Sequence, residues 1–371
     1  MKGLPFVLLF TAMTFVSWGA YGPVLHHGAV ALKHDAMRAF VGVGLAYFMI
    51  AVLIPFMLLK KNGEVGRWTL SGAIFSLIAG AVGALGALGV ILALGYGGAT
   101  VYVMPLVFGF APIVNTLVTA FLSRTFHQIR PIFIVGVVAA ALGAGGVLAF
   151  KPTPPKAVPV AAAAVEGSAA TDVVDETAST SDSPADSAAH DTSTPAAAAT
   201  ASPAKKTFVP GVFLSILMAA VCWGSYGPML HIGQGKMSGS RLRPFACVGL
   251  SYFFIAVAAP LALIYSRVDD AGAWTAGGMT WSFLAGIAGA LGALGVILAF
   301  NAGGRPYYVM PLVFGFAPVI NTFISLSEAG TWSLVEPRFW ISLAIVIAGA
   351  VTVLTNAPKP PPKPSTAPAA R

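Results

Sequence analysis

The residues with the clearest binding chemistry form an aromatic stretch that occurs twice. Trp-Gly-x-Tyr-Gly-Pro begins at Trp18 and again at Trp223. Each copy offers two aromatic faces and two polar tips, which suit sugars or heterocycles, and its Gly-Pro pair can interrupt a helix and expose backbone groups. We therefore predict that the aromatic residues of both copies bind a substrate: Trp18, Tyr21, Trp223 and Tyr226. The alternative is an anchor at a membrane surface, with Gly-Pro ending the helix.

A second stretch, YVMPLVFGFAP, is identical at 102–112 and 308–318. Its two prolines stand seven residues apart, about two helical turns, and each removes a backbone hydrogen bond. The pattern predicts helix kinks at four positions: Pro105, Pro112, Pro311 and Pro318. An Asn-Thr pair follows each copy, and we expect its amide, Asn115 or Asn321, to contact a solute. Hydrogen bonding between helices is the alternative.

Four further polar residues occupy equivalent positions of the two copies and are candidates for gating or coupling: His26, His231, Arg38 and Arg243. Histidine titrates near neutral pH, and equivalent polar residues at opposite entrances are what alternating access would use. The alternatives are a hydrogen-bonded interface histidine and an arginine that snorkels from a helix end. His27, His34 and Asp35 lie near His26, but the second copy keeps only His231, so neither a metal site nor a cofactor is predicted.

The elements that must position these residues are strongly apolar. Hydrophobic residues make up 57% of the chain, charged residues 9%, and the mean hydropathy is +0.83, whereas a soluble domain carries about 25% charged residues. This predicts an integral membrane protein. Apolar segments of about 20 residues, the length that spans a bilayer, are expected at 4–25, 38–59, 68–95, 100–123, 131–150, 208–231, 243–266, 278–301, 306–327 and 338–356.

The repeated stretches keep an offset of 205 or 206 residues throughout, and GALGALGVILA at 83–93 recurs at 289–299. They predict two homologous five-helix units, residues 1–150 and 208–356. A unit with an odd number of spans ends on the side opposite its start, so its duplicate must be inverted. The predicted fold class is an all-α membrane protein with ten transmembrane helices as an inverted 5+5 internal repeat.

Glycine recurs every three residues in the third span of each unit, at 80, 83, 86 and 89 and at 286, 289, 292 and 295. One side of each helix is thus almost without side chains. The pattern predicts close helix packing, and a smooth sliding surface is the alternative.

Residues 151–207 differ in composition, because Ala, Pro, Ser and Thr dominate and seven of the chain's thirteen acids lie there. They predict a disordered linker, and 357–371 a Pro-rich tail. Across alternate loops, thirteen Lys and Arg share the side of both termini, against four on the other side, or eight with the linker lysines. The bias predicts a plasma (inner) membrane protein with both termini and the tail in the cytoplasm and the linker outside.

No Asp, Glu, Lys or Arg stands near the middle of any predicted span, where such a charge would cost about 2.5–3.5 kcal/mol. This disfavours a carboxylate relay, a buried salt-bridge switch and a fixed countercharge to the substrate. The spacing of an acid pair, a metal cluster or a nucleophile with its base is also missing, so an enzyme is not expected. Without a basic cluster interleaved with aromatics, nucleic acid is not an expected partner.

With ten spans, Trp-Gly-Ala or Trp-Gly-Ser in the first helix of each half and a proline-bearing fourth helix, the chain resembles the drug/metabolite transporter superfamily (EamA-like). Trp223-Gly224-Ser225 is most similar to the sugar and ureide-type branches. The resemblance covers all but the linker and tail. It implies a central cavity lined by helices 1, 3, 4, 6, 8 and 9 that carries small organic solutes.

Together these features predict a secondary transporter, either a uniporter, an exchanger or a weakly proton-coupled carrier, working by alternating access. Its substrate would be a small neutral polar metabolite such as a sugar, nucleoside or ureide. The alternative is a lipid-carrier flippase or a non-transporting membrane scaffold. The expected partners are the small-molecule substrate and the lipid bilayer, and a homodimer is left open.

Overall fold

The computed structural model describes residues 3–152, 210–266 and 272–358, without the side chains of Asn62 and Tyr307. Every regular element within these ranges is a helix. Most of the predicted linker at 151–207 and of the predicted tail at 357–371 lies outside the described residues.

Within the described residues, ten helices are long and apolar enough to span a membrane, which makes this a multi-pass membrane protein and confirms the ten predicted spans. In the first unit they are α1 (Leu4–Ala31), α2 (Ala36–Lys61), α3 (Leu70–Gly95), α4 (Thr100–Leu122) and α5 (Pro131–Ala149). In the second unit they are α6 (Pro210–Lys236), α7 (Leu242–Tyr265), α8 (Ala276–Asn301), α9 (Pro306–Ala329) and α10 (Pro337–Thr355).

The first helix of each unit runs past the end of its predicted span and stays helical through its Gly-Pro pair. Pro23 lies inside α1 and Pro228 inside α6, so the expected interruption of these helices is wrong. A proline ring crowds the backbone carbonyl four residues earlier and leaves it without its helical hydrogen bond; membrane helices tolerate this because neighbouring helices, water or a local adjustment satisfy the freed group. Helices α4 and α9 are likewise unbroken at their four interior prolines.

Helices α2 and α7 each contain a wide π-helical segment that the sequence analysis missed. The segments are Met49–Leu53 and Phe253–Ala258, and each ends just before a proline, Pro55 or Pro260. Because proline donates no backbone hydrogen bond and its ring clashes with the preceding turn, the helix relaxes to a wider turn. The second helix of each unit thus widens at an equivalent point.

The two units pack against each other along most of their helices. Helix α1 lies against α8 and α9, and α6 lies against the equivalent helices α3 and α4. Equivalent helices also meet directly, α2 with α7, α4 with α9 and α5 with α10. Along the last pair, Gly136 is closest to α10 at 349 and 352, Gly143 at 342 and 346, and Gly146 at 342. Rising numbers on α5 therefore meet falling numbers on α10, which makes this pair antiparallel.

The glycines of α3 and α8 permit these close approaches, as the sequence analysis expected. A Cβ atom at Gly89 would lie 2.9 Å from the Ala219 backbone nitrogen, and one at Gly80 would lie 2.7 Å from the Val248 Cα. Real side chains do not tolerate such distances. Helix α3 therefore reaches α6 and α7 nearly backbone to backbone, and α8 reaches α1 and α2 in the same way through Gly295 and Gly286. The remaining glycines of both helices border the site described next.

Candidate functional site

A cavity of about 470 Å³ lies between the two units. Its walls come from α1, α2, α3, α4, α6, α7, α8 and α9, and equivalent helices supply equivalent residues to it. The volume falls within the range of small-molecule sites, about 300–1,000 Å³. The cavity is therefore large enough for a metabolite and is built from both copies of the repeat.

Two tryptophans line the cavity, and each is held against a glycine-rich helix, α8 or α3. Trp18 Nε1 donates to the Gly289 carbonyl at 3.1 Å, and Trp223 Nε1 donates to the Gly83 carbonyl at the same distance. The indole rings rest on Gly292 and Gly86, where a Cβ atom would overlap them. Because both indole N–H groups are already bonded, the tryptophans offer a solute their aromatic faces and no hydrogen-bond donor.

Four tyrosines continue the aromatic lining, and the sequence analysis named only Tyr21 and Tyr226. The other two, Tyr47 and Tyr252, come from the second helix of each unit and stack with ring centroids 3.7 Å apart at an interplanar angle of 3°. The signal that could have found them is their equivalence, since Gly-Leu-x-Tyr-Phe occurs at 44–48 and again at 249–253.

Tyr21 carries an unsatisfied polar group. Its side chain is buried, its ring meets the Trp223 ring edge-on at 5.9 Å, and its hydroxyl has no hydrogen-bond partner among the described residues. Buried hydroxyl groups in folded proteins nearly always have a partner. A solute in the cavity could supply one.

Phe108 and Phe314, the central residues of the identical stretches in α4 and α9, join the two aromatic walls. Their rings meet edge-on at 6.1 Å, and they approach Trp223 at 6.3 Å and Trp18 at 6.4 Å respectively. The four rings form a continuous aromatic surface across the junction of the units. A planar solute would find π faces on both sides.

The two predicted amides lie in different surroundings. Asn115 is half-buried and lines the cavity. Asn321 is fully buried, is not among the lining residues, and donates through Nδ2 to the Thr100 carbonyl at 2.8 Å. Each nevertheless lies against the glycine of a Gly-Pro pair: a Cβ at Gly227 would be 2.6 Å from Asn115 Nδ2, and one at Gly22 would be 2.7 Å from Asn321 Oδ1.

The cavity extends toward one end of the helix bundle only. At that end it is lined by residues near the last turns of α4, α6 and α8, among them the exposed Leu122 and His231. At the other end Asn321 bonds to Thr100, and the hydroxyls of Thr100 and Ser325 are 2.7 Å apart. We call these the open end and the closed end.

The two predicted histidines, His26 and His231, lie at different ends of the bundle. His231 lines the cavity at the open end. His26 is not among the lining residues; it lies next to His27, whose Nε2 is 3.1 Å from Glu328 Oε1 at the closed end. Equivalent histidines therefore occupy opposite ends, and only one of them borders the cavity.

The predicted gate arginines both lie outside the cavity lining and are engaged in ion pairs. Arg38 is buried, pairs with Asp35 and lies over the Trp274 ring at 5.2 Å. Arg243 is 3.6 Å from a Glu64 carboxylate oxygen, and the same carboxylate accepts from the backbone nitrogen of Arg241 at 2.9 Å. These contacts tie the first turns of α2 and α7 to neighbouring loop residues.

The described residues that line the cavity include neither Asp, Glu, Lys nor Arg. The described lining residues include one imidazole side chain, that of His231. Hydrogen-bonding groups come instead from Asn115, Thr119, Ser123 and Gln234, which the sequence analysis did not name apart from Asn115. Three of them, at 115, 119 and 123, are spaced four residues apart and form one polar stripe along α4 toward the open end.

Neither the models of known protein families nor the curated protein sequences contain a match to this chain.

Proposed function

We propose that this protein is a secondary transporter, either a uniporter, an exchanger or a weakly proton-coupled carrier, that works by alternating access. The observation that carries the proposal is the cavity between the two units, which reaches exposed residues at one end and is hydrogen-bonded shut at the other. A solute bound there would have one exit at a time, which is the requirement for transport without a leak.

The proposal includes an inverted 5+5 repeat. Its support is the antiparallel packing of equivalent helices, seen between α5 and α10 and again between α2 and α7, where Gly44 meets Ala256 and Gly249 meets Ala51. Two units related in this way can exchange conformations, so that the closed end opens as the open end closes. The resemblance to the drug/metabolite transporter superfamily implies the same architecture.

The substrate that fits best is a small, neutral, polar metabolite with a flat face, such as a nucleoside, a ureide or a sugar. Two indole faces and four phenol rings provide stacking surfaces, and such surfaces attract both heterocycles and sugar rings. The Asn115 amide and the Tyr21 hydroxyl can bond to polar groups at the solute's edge. A fixed counterion for a charged solute is missing among the described lining residues.

We propose, from the bias of the basic residues, that this is a plasma (inner) membrane protein with both termini in the cytoplasm. In that orientation the last turns of α4, α6 and α8 face the cytoplasm, and the structure corresponds to an inward-open state. Labelling of single cysteines near the two helix ends in intact cells tests this assignment.

A binding screen followed by uptake tests the function. The purified full chain is heated with sugars, nucleosides, ureides and amino acids, and a compound that binds the folded state raises the melting temperature. The compound that stabilises most is then offered, radiolabelled, to proteoliposomes containing the protein. We expect saturable uptake that Asn115→Ala lowers at least tenfold, while Thr355→Val, at an exposed position in the last turn of α10, leaves it unchanged.

Two results would overturn the proposal. One is melting-temperature shifts without uptake for every compound in the screen, which would indicate a binding scaffold. The other is movement of a fluorescent lipid between bilayer leaflets that Asn115→Ala does not affect, which would indicate a flippase. Uptake that needs an imposed pH gradient and is lost in His231→Ala would identify proton coupling at that histidine.

A further inference from the structure

The closed end is held by a small polar cluster that joins the first turn of α4 to α9. Asn321 Nδ2 donates to the Thr100 carbonyl at 2.8 Å, and the Thr100 and Ser325 hydroxyls are hydrogen-bonded at 2.7 Å. All three side chains are buried, with exposed fractions of 0%, 8% and 6% for Asn321, Thr100 and Ser325. We call these three residues the latch.

The repeat supplies an equivalent set at the open end. At the offset of 206 residues, Asn115 corresponds to Asn321, Thr119 to Ser325, and Pro306 to Thr100. Asn115 and Thr119 line the cavity, and the Asn115 side chain has no hydrogen-bond partner among the described residues. Pro306 begins α9 as Thr100 begins α4, so its carbonyl stands at the equivalent place in the first helical turn.

Each amide lies against the glycine of a Gly-Pro pair. A Cβ atom at Gly22 would lie 2.7 Å from Asn321 Oδ1, and one at Gly227 would lie 2.6 Å from Asn115 Nδ2. The requirement for glycine before each proline thus has a physical reason, because a methyl group there would displace the amide. The two amides present opposite ends to their glycines: Asn321 turns its oxygen to Gly22 and donates through Nδ2 to Thr100, whereas Asn115 turns Nδ2 to Gly227, so the Asn115 amide must rotate before it can donate to α9.

We infer that the two amides exchange roles during transport. In the state described here Asn115 contacts the solute while Asn321 closes the far end. In the opposite state Asn115 donates to the Pro306 carbonyl and closes the cytoplasmic end, and Asn321, released from Thr100, contacts the solute. One pair of asparagines therefore provides both the binding amide and the latch, and the inference rests on the proposed transport function.

Cysteine reactivity tests this exchange without a known substrate. The two native cysteines, Cys222 and Cys247, are replaced by alanine, and one reporter is introduced at a time, Thr119→Cys or Ser325→Cys. The full chain in liposomes is treated with a membrane-impermeant maleimide from both sides. The reporter at 119 should react quickly and the one at 325 slowly, because Thr119 lines the cavity and Ser325 is buried.

Removing either amide should then shift the two reporters in opposite directions. Asn321→Ala should raise the labelling rate at 325 and lower that at 119 by about three- to tenfold, the effect of one buried hydrogen bond. Asn115→Ala should shift both rates in the other sense, lowering the rate at 325 and raising that at 119. Thr116→Val serves as the matched control, since Thr116 is buried beside Asn115 but bonds to the Pro112 carbonyl of its own helix.

A milder variant keeps the test decisive if Asn321→Ala does not fold. Thr100→Val, made in the chain that keeps Ser325 and carries the reporter at 119, removes only the hydroxyl bond and should lower labelling at 119 by a smaller factor. Unchanged labelling in the folded latch variants, or a parallel rise at both reporters in Asn321→Ala, would overturn the exchange. If the reporters shift as expected but the screen yields no transported solute, the transport proposal fails on its own; uptake with unmoved reporters would refute only the exchange.

Discussion

Replacing glycine by alanine should have opposite effects at two neighbouring positions of α8, Gly289 and Gly292. A Cβ at Gly289 would lie 3.6 Å from Tyr21 Cδ2 and from Tyr47 Cε2, which is ordinary van der Waals contact. A Cβ at Gly292 would overlap the Trp18 indole. Both residues are inside the same helix and one turn apart, so Gly289→Ala is a matched control for Gly292→Ala.

The expected magnitudes follow from two opposing effects. Replacing glycine by alanine within a helix is favourable by about 0.8–1.0 kcal/mol, and this gain is the same for both variants. Overpacking against a ring costs about 1–3 kcal/mol and applies to Gly292→Ala only. We therefore expect Gly289→Ala to raise the free energy of unfolding by up to about 1 kcal/mol, and Gly292→Ala to lie about 1–3 kcal/mol below it.

The assay is thermal unfolding of the purified full chain, followed by solute binding. Gly292→Ala should melt several degrees below Gly289→Ala and bind the solute more weakly, because Trp18 must rotate away from the Gly289 carbonyl. The equivalent substitution Gly86→Ala, beneath Trp223, provides an independent repeat in the first unit. Equal melting temperatures for the two α8 variants would refute the assignment of these glycines as supports for the indoles.

Three further outcomes are expected. Tyr21→Phe removes a hydroxyl without a partner among the described residues. It should therefore leave the free energy of unfolding within about 0.5 kcal/mol of the parent protein and weaken solute binding several-fold; a large loss of stability would contradict this. Glu64→Gln should cost about 1 kcal/mol by weakening the charged cap at the start of α7, as measured by thermal unfolding, whereas Glu336→Gln, whose side chain makes no cap bond, should cost little. Leu122→Glu combined with Ile232→His places at the open end the equivalent of the His27–Glu328 pair of the closed end. The new pair should favour closure of the open end and so lower the labelling rate of a cysteine at 119 up to about fivefold; unchanged labelling would show that the two residues do not meet.

Much of the helix layout could be predicted because hydrophobic length and internal repetition are direct consequences of the sequence. The continuation of α1 and α6 through their Gly-Pro pairs was not predicted, since the prediction assumed that proline interrupts or ends a helix. In a membrane bundle, neighbouring helices, water or a local adjustment can satisfy the carbonyl that proline frees. Helices α1 and α6 therefore reach Ala31 and Lys236 instead of stopping near their histidines.

The residue types of the candidate site could be predicted from the sequence, but the contacts that depend on helix packing could not. Trp18 and Trp223 line the cavity, but their N–H groups are bonded to glycine carbonyls on other helices, which a list of aromatic residues does not reveal. Asn115 and Asn321 follow identical stretches and still differ in surroundings. That difference belongs to the conformation of the whole bundle, so no local pattern could have separated them.

Because the two units share identical stretches around the cavity, the differences between equivalent positions at its two ends are informative about the balance between the two proposed states. At the closed end Thr100 contributes a hydroxyl bond and His27 pairs with Glu328. Their counterparts at the open end are Pro306, Ile232 and Leu122, which have no hydroxyl and no charge to offer. When the open end closes, it can regain the amide bond of the latch but neither of the other two contacts. The repeat therefore supplies two similar states, and these substitutions favour the one in which the cavity is open toward the last turns of α4, α6 and α8.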